Sequence, residues 1–246
     1  IDERSHLFVE AALRAFADRG RWMNDDGSSR VVPGDLTSKA RLDALMATFR
    51  SDRHVPAAQL DPAPVQRLEN PAATSFVVLD RHGSAVACAL TMNNLFGNGR
   101  VAPGTGILLA MPPGQGGRGP VSLGPMIVVN EHVNEFYFAA AATGGVAAPT
   151  ALLSVAAATL VGAKSLEGAI QAPRLHHGGA PDLVYFEQGY DRDRLGALTS
   201  RGHSIGATNI LGRVNAAFCS AGLPPNPETC TVRTDPRGFG LAASAD

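Results

Sequence analysis

Cysteine is scarce in this chain: three residues in 246, at positions 88, 219 and 230. That scarcity excludes a disulfide-stapled scaffold, and the absence of a C-x-x-C pair excludes a zinc ribbon. Cys88 lies inside an apolar run and reads as a small buried hydrophobe. Cys219 and Cys230 bracket a proline-rich loop; a bridge between them in an oxidising compartment and a pair of free thiols are both open readings. The chain also lacks an excess of charge of either sign. With 21 basic and 22 acidic side chains the formal net charge is −1, which leaves no electrostatic footprint for nucleic acid or an anionic membrane. No apolar run reaches the eighteen or so residues of a spanning helix. A basic, apolar leader and an initiating methionine are absent too, so a processed product or a fragment is expected, with periplasm and cytoplasm both open as its compartment.

What is present is core-forming material. At 25.5 kDa and 45% hydrophobic residues, the chain can bury one large domain, and a second is not required. Small-molecule chemistry is the default expectation for such a composition.

The most informative stretch runs from Asn70 to Gly97. Two apolar runs, Thr74 to Leu79 and Ala85 to Thr91, flank the polar D-R-H-G-S, which predicts a strand-turn-strand hairpin. Val77, Val78, Asp80, Gly83, Val86, Thr91, Asn93, Phe96 and Gly97 together form a pattern that resembles the start of the small subunit of the γ-glutamyltranspeptidase family. These are N-terminal-nucleophile (Ntn) hydrolases that cut their own precursor. Counted back from Asp80 and again from Thr91, the resemblance puts the family's catalytic threonine at position 73, where this chain has Ala73. Alanine has no hydroxyl to attack a peptide bond or a substrate. Thr74 stands one place downstream, but a slip of one residue turns every side chain of a strand to its other face. Thr74 as nucleophile on that slipped register stays open as the alternative; the favoured reading is a threonine-to-alanine change at position 73, engineered to trap an uncut precursor or natural to an inactive relative.

Other segments follow the same order. Ser5 to Arg19 predicts a helix with Leu7, Phe8, Ala11, Ala12, Ala15 and Phe16 on its buried face, Ser5 as N-cap and Gly20 as stop. Leu36 to Phe49 predicts a second helix, and the proline-punctuated Ser51 to Asn70 reads as a leader into a scissile bond or as a linker. After Gly97, V-A-P-G-T-G-I-L-L-A resembles the family's run before the residues that grip a γ-glutamyl donor. The stretch Ala110, Met111, Pro112, Pro113, Gly114, Gln115 lacks their acidic pair, so a substrate ammonium has no carboxylate partner there. G-Q-G-G-R-G, residues 114 to 119, lacks the G-K-S/T ending of a phosphate loop and reads better as a lid. Pro120, Val121 and Ser122 resemble a segment whose serine helps hold the substrate carboxylate.

Met126 to Val129 and Glu135 to Ala142 predict a second hairpin leading into Thr143, Gly144 and Gly145. Adjacent glycines at a strand-to-helix junction let backbone N–H groups approach a reacting carbonyl, and the resemblance makes Gly144 and Gly145 the oxyanion hole. A plain helix-entry turn is the alternative. A buried helix follows over Val146 to Val161, then a short helix over Ser165 to Ala172. The adjacent His176 and His177 point apart and have no further ligand spacing, so no metal is expected. Leu183 to Glu187 predicts a strand, and Asp191 to Arg201 a helix closed by Gly202.

The resemblance implies an α+β fold, a four-layer αββα sandwich of the Ntn-hydrolase type. It divides the chain for processing into a large-subunit-like tail with its leader, residues 1–72, and a small-subunit-like catalytic segment, residues 73–246, within one folded domain. It implies Thr91 as the partner of the nucleophile, Gly144 and Gly145 at the oxyanion, Asn93 and Ser122 on the acyl group, and no cofactor. The expected partners are a small-molecule amide and a large-subunit-like chain or missing N-terminal segment. A competing reading is a naturally inactive homologue serving as a binding or assembly subunit.

Overall fold

The computed structural model describes residues 3–61, 73–112 and 123–244. The G-Q-G-G-R-G stretch, Ser122 and most of the leader into position 73 lie outside these. The fold is α+β and falls into two compact units that interleave along the chain: residues 1–67, 112–121 and 173–211 in one, residues 68–111, 122–172 and 212–246 in the other.

In the second unit, β1 (Ala73–Leu79) and β2 (Ala85–Thr91) form an antiparallel hairpin. Asp80 closes its turn, the carboxylate Oδ1 accepting the N–H groups of His82 at 2.8 Å and Ser84 at 2.9 Å, as a short acidic side chain does at a turn start. A four-stranded antiparallel sheet runs in the order β3 (Met126–Asn130), β4 (Glu135–Thr143), β8 (Arg213–Leu223), β9 (Cys230–Arg233). The C-terminal half of β4, Ala139–Ala142, is all alanine and buried, because both faces of the strand are covered there. Ala139 joins Phe136, Ala217 and Cys219 under the hairpin residues Val77, Leu79, Ala85 and Ala87. Phe138, Ala140 and Ala142 face the helices α4 (Ala148–Leu160) and α5 (Leu166–Gln171) instead. A bulge between Phe136 and Phe138 puts these two aromatic rings on opposite faces, which a regular strand could not do. This unit is therefore a sheet on a sheet on a helix layer. The outer face of the hairpin exposes Phe76, Val78, Val86 and Leu90.

Cys219 and Cys230, directly paired across β8 and β9, are joined by a disulfide. The bridge closes a loop with a sequence separation of 11. Cys230→Ala is expected to lower the unfolding free energy by about 2–3 kcal/mol, read from urea midpoints under oxidising conditions.

The first unit carries α1 (Glu3–Trp22), α2 (Pro33–Leu36), α3 (Lys39–Met46), α6 (Arg192–Ser200) and a small sheet in the order β5 (Leu175–His176), β6 (Val184–Glu187), β7 (Ile205–Thr208). The helix expected over 36–49 is the shorter α3, which starts only at Lys39 because Ser38 caps it, its Oγ accepting from the Arg41 N–H at 3.4 Å, while the short α2 ends at Leu36. The first helix runs through Gly20 rather than stopping there, and its buried face differs from the expected one. Leu7 is 46% exposed, while Val9, Leu13 and Ala17 are buried beside the polar series His6, Glu10, Arg14 and Asp18. These four recur every fourth residue and so share one stripe.

Among the described residues of this unit, buried charges have partners, as burial requires. Glu187 on β6 accepts the Leu211 N–H on Oε1 at 2.7 Å and the Arg174 N–H on Oε2 at 3.0 Å. Glu187→Ala leaves both buried donors unmatched and is expected to cost about 2–4 kcal/mol, measured by urea unfolding.

Candidate active site

The hairpin register decides which side chains can meet. Ala73 pairs directly with Thr91, and Thr74 with Leu90. Ala73, Ser75, Val77 and Leu79 alternate inward; Thr74, Phe76 and Val78 alternate outward and are exposed. Ala73 and Thr91 thus share the inner face, and Thr74 lies on the outer one.

Ser75 fixes the inner face to the sheet beneath. Its hydroxyl donates to the carbonyl of Ala141 at 3.1 Å. Asn215, the cross-strand neighbour of Ala141, donates Nδ2 to the Ser75 carbonyl at 2.9 Å and to its Oγ at 3.1 Å. Because Val77 and Leu79 sit over the Phe136 and Leu223 end of β4 and β8, moving back along β1 follows β4 toward its C-terminal end. Two residues beyond Ser75, about 6.6 Å along the strand, brings position 73 toward the Thr143–Gly144 end of β4.

That end turns sharply. Gly144 has φ 122° and Gly145 φ 63°, and a one-turn 3-10 helix over Gly145–Ala147 leads into α4. A Cβ on Gly144 would stand 2.5 Å from the Gly212 Cα, so backbone meets backbone with no room for a side chain. The helix begins at Ala148, two residues later than the sequence suggests, because Gly144 and Gly145 are spent on the turn.

Beside the turn, Asp235 accepts the Val214 N–H at 2.8 Å. Arg237 donates to the carbonyls of Ile170 at 2.8 Å and Ala172 at 3.0 Å, and the Arg213 Nε donates to the Arg237 carbonyl at 2.9 Å. Asp235 and Arg237 therefore anchor the start of β8. Ser75, Asn215 and Asp235 are absent from the sequence-based site, since nothing in their spacing distinguishes them. Asn93, with φ 59° and a buried side chain, donates Nδ2 to the Met111 carbonyl at 2.5 Å, while its N–H donates to the Thr91 Oγ at 3.0 Å. It therefore locks the chain at the end of β2.

In the first unit, His176, the last residue of β5, and His177, just beyond it, are both buried and meet different partners. His177 Nε2 lies 3.1 Å from Asp182 Oδ1, and the Phe16 ring meets His176 edge-on with centroids 5.4 Å apart. Burial, with the nearby His177, depresses the His176 pKa to about 3. Unfolding raises it to the ordinary value of about 6.5, so the unfolded chain binds a proton that the folded one does not between those limits. Stability is fully present above about pH 6.5 and is expected to fall by up to about 1.4 kcal/mol per pH unit toward pH 3. His176→Gln should lessen that dependence by one proton's share in urea titrations at stepped pH, His203 being pushed to about 3 as well by burial.

The sequence profile of the family described as gamma-glutamyltranspeptidase matches residues 2–245. The chain belongs to this family. Among curated relatives, the glutathione hydrolase proenzyme of Escherichia coli K12 is 26% identical over 229 residues, covering 84% of this chain and 39% of that protein. The acylase ACY 1 proenzyme of Pseudomonas sp. V22 is 28% identical over 227 residues, with 86% and 39% covered. A threonine-to-alanine mutant of Helicobacter pylori γ-glutamyltranspeptidase superposes with a TM-score of 0.55 at 25% identity, over 67% of this chain and all of that one. The α+β fold is that of the Ntn-hydrolase transpeptidases, and the named relatives are enzymes. This chain spans about two-fifths of the length of the curated relatives it matches.

Proposed function

We propose that the chain is the processing and catalytic part of a γ-glutamyltranspeptidase-like Ntn amidohydrolase or acyltransferase, with position 73 as its nucleophile and Ala73 holding it uncut and inactive. The observation that carries this reading is the hairpin register: Ala73 faces inward opposite Thr91, toward the Gly144–Gly145 turn, while Thr74 faces outward.

With threonine at position 73, its hydroxyl attacks the carbonyl of Ala72, an N-to-O acyl shift. The shift breaks the 72–73 C–N bond and so frees the α-amine of residue 73; water then hydrolyses the ester, releasing the Ala72 carboxylate and restoring the hydroxyl. That amine, of ordinary pKa about 7.7–8.0, takes the proton of its own hydroxyl in the next attack on a substrate amide. Thr91 hydrogen-bonds the nucleophile, and the N–H groups at Gly144 and Gly145 hold the oxyanion. Asn93 and Ser122 orient the acyl group, Asn93 through the backbone it fixes. Acceptance of the acyl group by water makes a hydrolase, and by an amine a transferase.

The substrate is a small-molecule amide carrying a γ-glutamyl or related acyl group. The missing acidic pair near Ala110 favours acyl groups without an α-ammonium, which accords with an acylase proenzyme among the relatives. The partner is a large-subunit-like chain or segment, and the exposed Phe76, Val78, Val86 and Leu90 are the face it covers. That apolar face equally suits an inactive homologue acting as an assembly subunit. The two separate in one assay: Ala73→Thr should release p-nitroaniline from acyl p-nitroanilides, γ-glutamyl and glutaryl, at least 100-fold faster than the unaltered chain. Equal, background rates for both would favour the assembly subunit.

A further inference from the structure

Three donor groups converge beside α1 in the first unit, away from the hairpin. His6 and Glu10 are one helical turn apart on the same stripe, and His203 follows α6. All three side chains are buried. One ligand atom from each lies within 4.8 Å of the others. His6 Nδ1 is 2.8 Å from His203 Nε2, and Glu10 Oε1 is 3.7 Å from that same nitrogen.

The surroundings aim these atoms. His6 Nε2 is 2.7 Å from the Arg50 carbonyl, which only accepts, so Nε2 carries the proton and the Nδ1 lone pair of the neutral ring faces the cluster. A backbone carbonyl on the far nitrogen is the usual outer partner of a metal-bound histidine. Glu10 is held on both oxygens: Arg14 pairs with Oε2, while Oε1 accepts from His54 Nδ1 at 2.6 Å and the Val55 N–H at 3.3 Å, a hydrogen bond to His54 that an ion at Oε1 would replace. His203 Nδ1 has no hydrogen-bond partner among the described residues. Nothing outside the cluster therefore fixes which nitrogen of His203 bears the proton.

We propose that His6 Nδ1, Glu10 Oε1 and His203 Nε2 form a structural site for a divalent cation of the zinc class, tying α1 to the turn after α6. Two imidazole nitrogens and one carboxylate oxygen are the protein part of a tetrahedral zinc donor set, with a water in the fourth position. On binding, the proton on His203 Nε2 moves to its free Nδ1 while Nε2 gives its lone pair to the ion, so the ring stays neutral and no proton is lost. The two nitrogens must part from 2.8 Å to about 3.3 Å for tetrahedral zinc, a small pivot of the His203 ring.

The test is titration of the chelator-treated chain with Zn2+ by calorimetry, and with Co2+ by visible absorption. One equivalent of each is expected, with tetrahedral cobalt bands and a rise in melting temperature. His203→Gln and His6→Gln should each lower the stoichiometry from one to zero while circular dichroism shows a folded chain. Should either variant fail to fold, X-ray absorption of the zinc-loaded unaltered chain replaces it, expected to show nitrogen and oxygen neighbours with at least two imidazoles. No binding by the unaltered chain, unchanged stoichiometry in the variants, or a zinc shell without imidazole would each overturn the site and leave a hydrogen-bonded polar cluster in its place.

Discussion

Ala73→Thr is expected to convert an intact chain into two pieces, residues 1–72 and 73–246, on standing in neutral buffer, while the unaltered chain stays whole. The expectation rests on what each group contributes. Alanine supplies no nucleophile, and removal of the nucleophile from a cooperative site leaves only positioning and oxyanion stabilisation. On the proposed mechanism the other parts are Thr91, opposite position 73 on the inner face, the Ser75–Asn215–Ala141 hydrogen bonds that pin the strand to the sheet, and the positive-φ turn at Gly144–Gly145. At position 73 itself, the group the proposed mechanism lacks is a hydroxyl. Thr91→Ala in the Ala73→Thr background should slow cleavage by roughly 10- to 100-fold, the order expected for loss of a hydrogen bond to a reacting group. The checking measurement is intact mass against time, with quenched samples from each form.

Gly144→Ala has the second largest expected effect, and it acts on folding as well as chemistry. The new methyl would stand 2.5 Å from the Gly212 Cα and 3.1 Å from the Gly212 nitrogen. Both are backbone atoms, so no side chain can swing aside. The φ of 122° adds strain of its own for any L side chain. Overpacking of this kind costs about 1–3 kcal/mol and backbone strain a similar amount. A loss of about 3 kcal/mol or more is therefore expected in urea unfolding, together with loss of cleavage in the Ala73→Thr background. Ala148→Gly, at the start of α4 nearby, serves as the contrast: about 1 kcal/mol lost, with cleavage retained.

Both hairpins were legible in the sequence because alternation and turn residues are local signals: β1 and β2 match their expected runs within one residue, and β3 and β4 do so too. The glycine turn was legible because only glycine accepts its backbone. The α1 face was not. Apolar residues alone pointed to Leu7 and Ala11, whereas the buried stripe is His6, Glu10, Arg14 and Asp18, whose burial depends on partners distant in sequence. His54, for example, meets Glu10 at 2.6 Å across a separation that no window reveals. Burial would push the His54 imidazole down, but hydrogen bonds to Glu10 and Asp182 outweigh it and raise its pKa. Ser75 and Asn215 were missed for the same reason, their contact spanning β1 and β8.

The most direct test of position 73 as the nucleophile is the N-terminal sequence of the larger piece released by Ala73→Thr, read beside the double variant Ala73→Thr, Thr74→Ala. The expected result is one new N-terminus, at residue 73, in both. A terminus at residue 74 in the single variant, or loss of cleavage on adding Thr74→Ala, would put the nucleophile on the outward face of β1 and contradict the register on which the account stands.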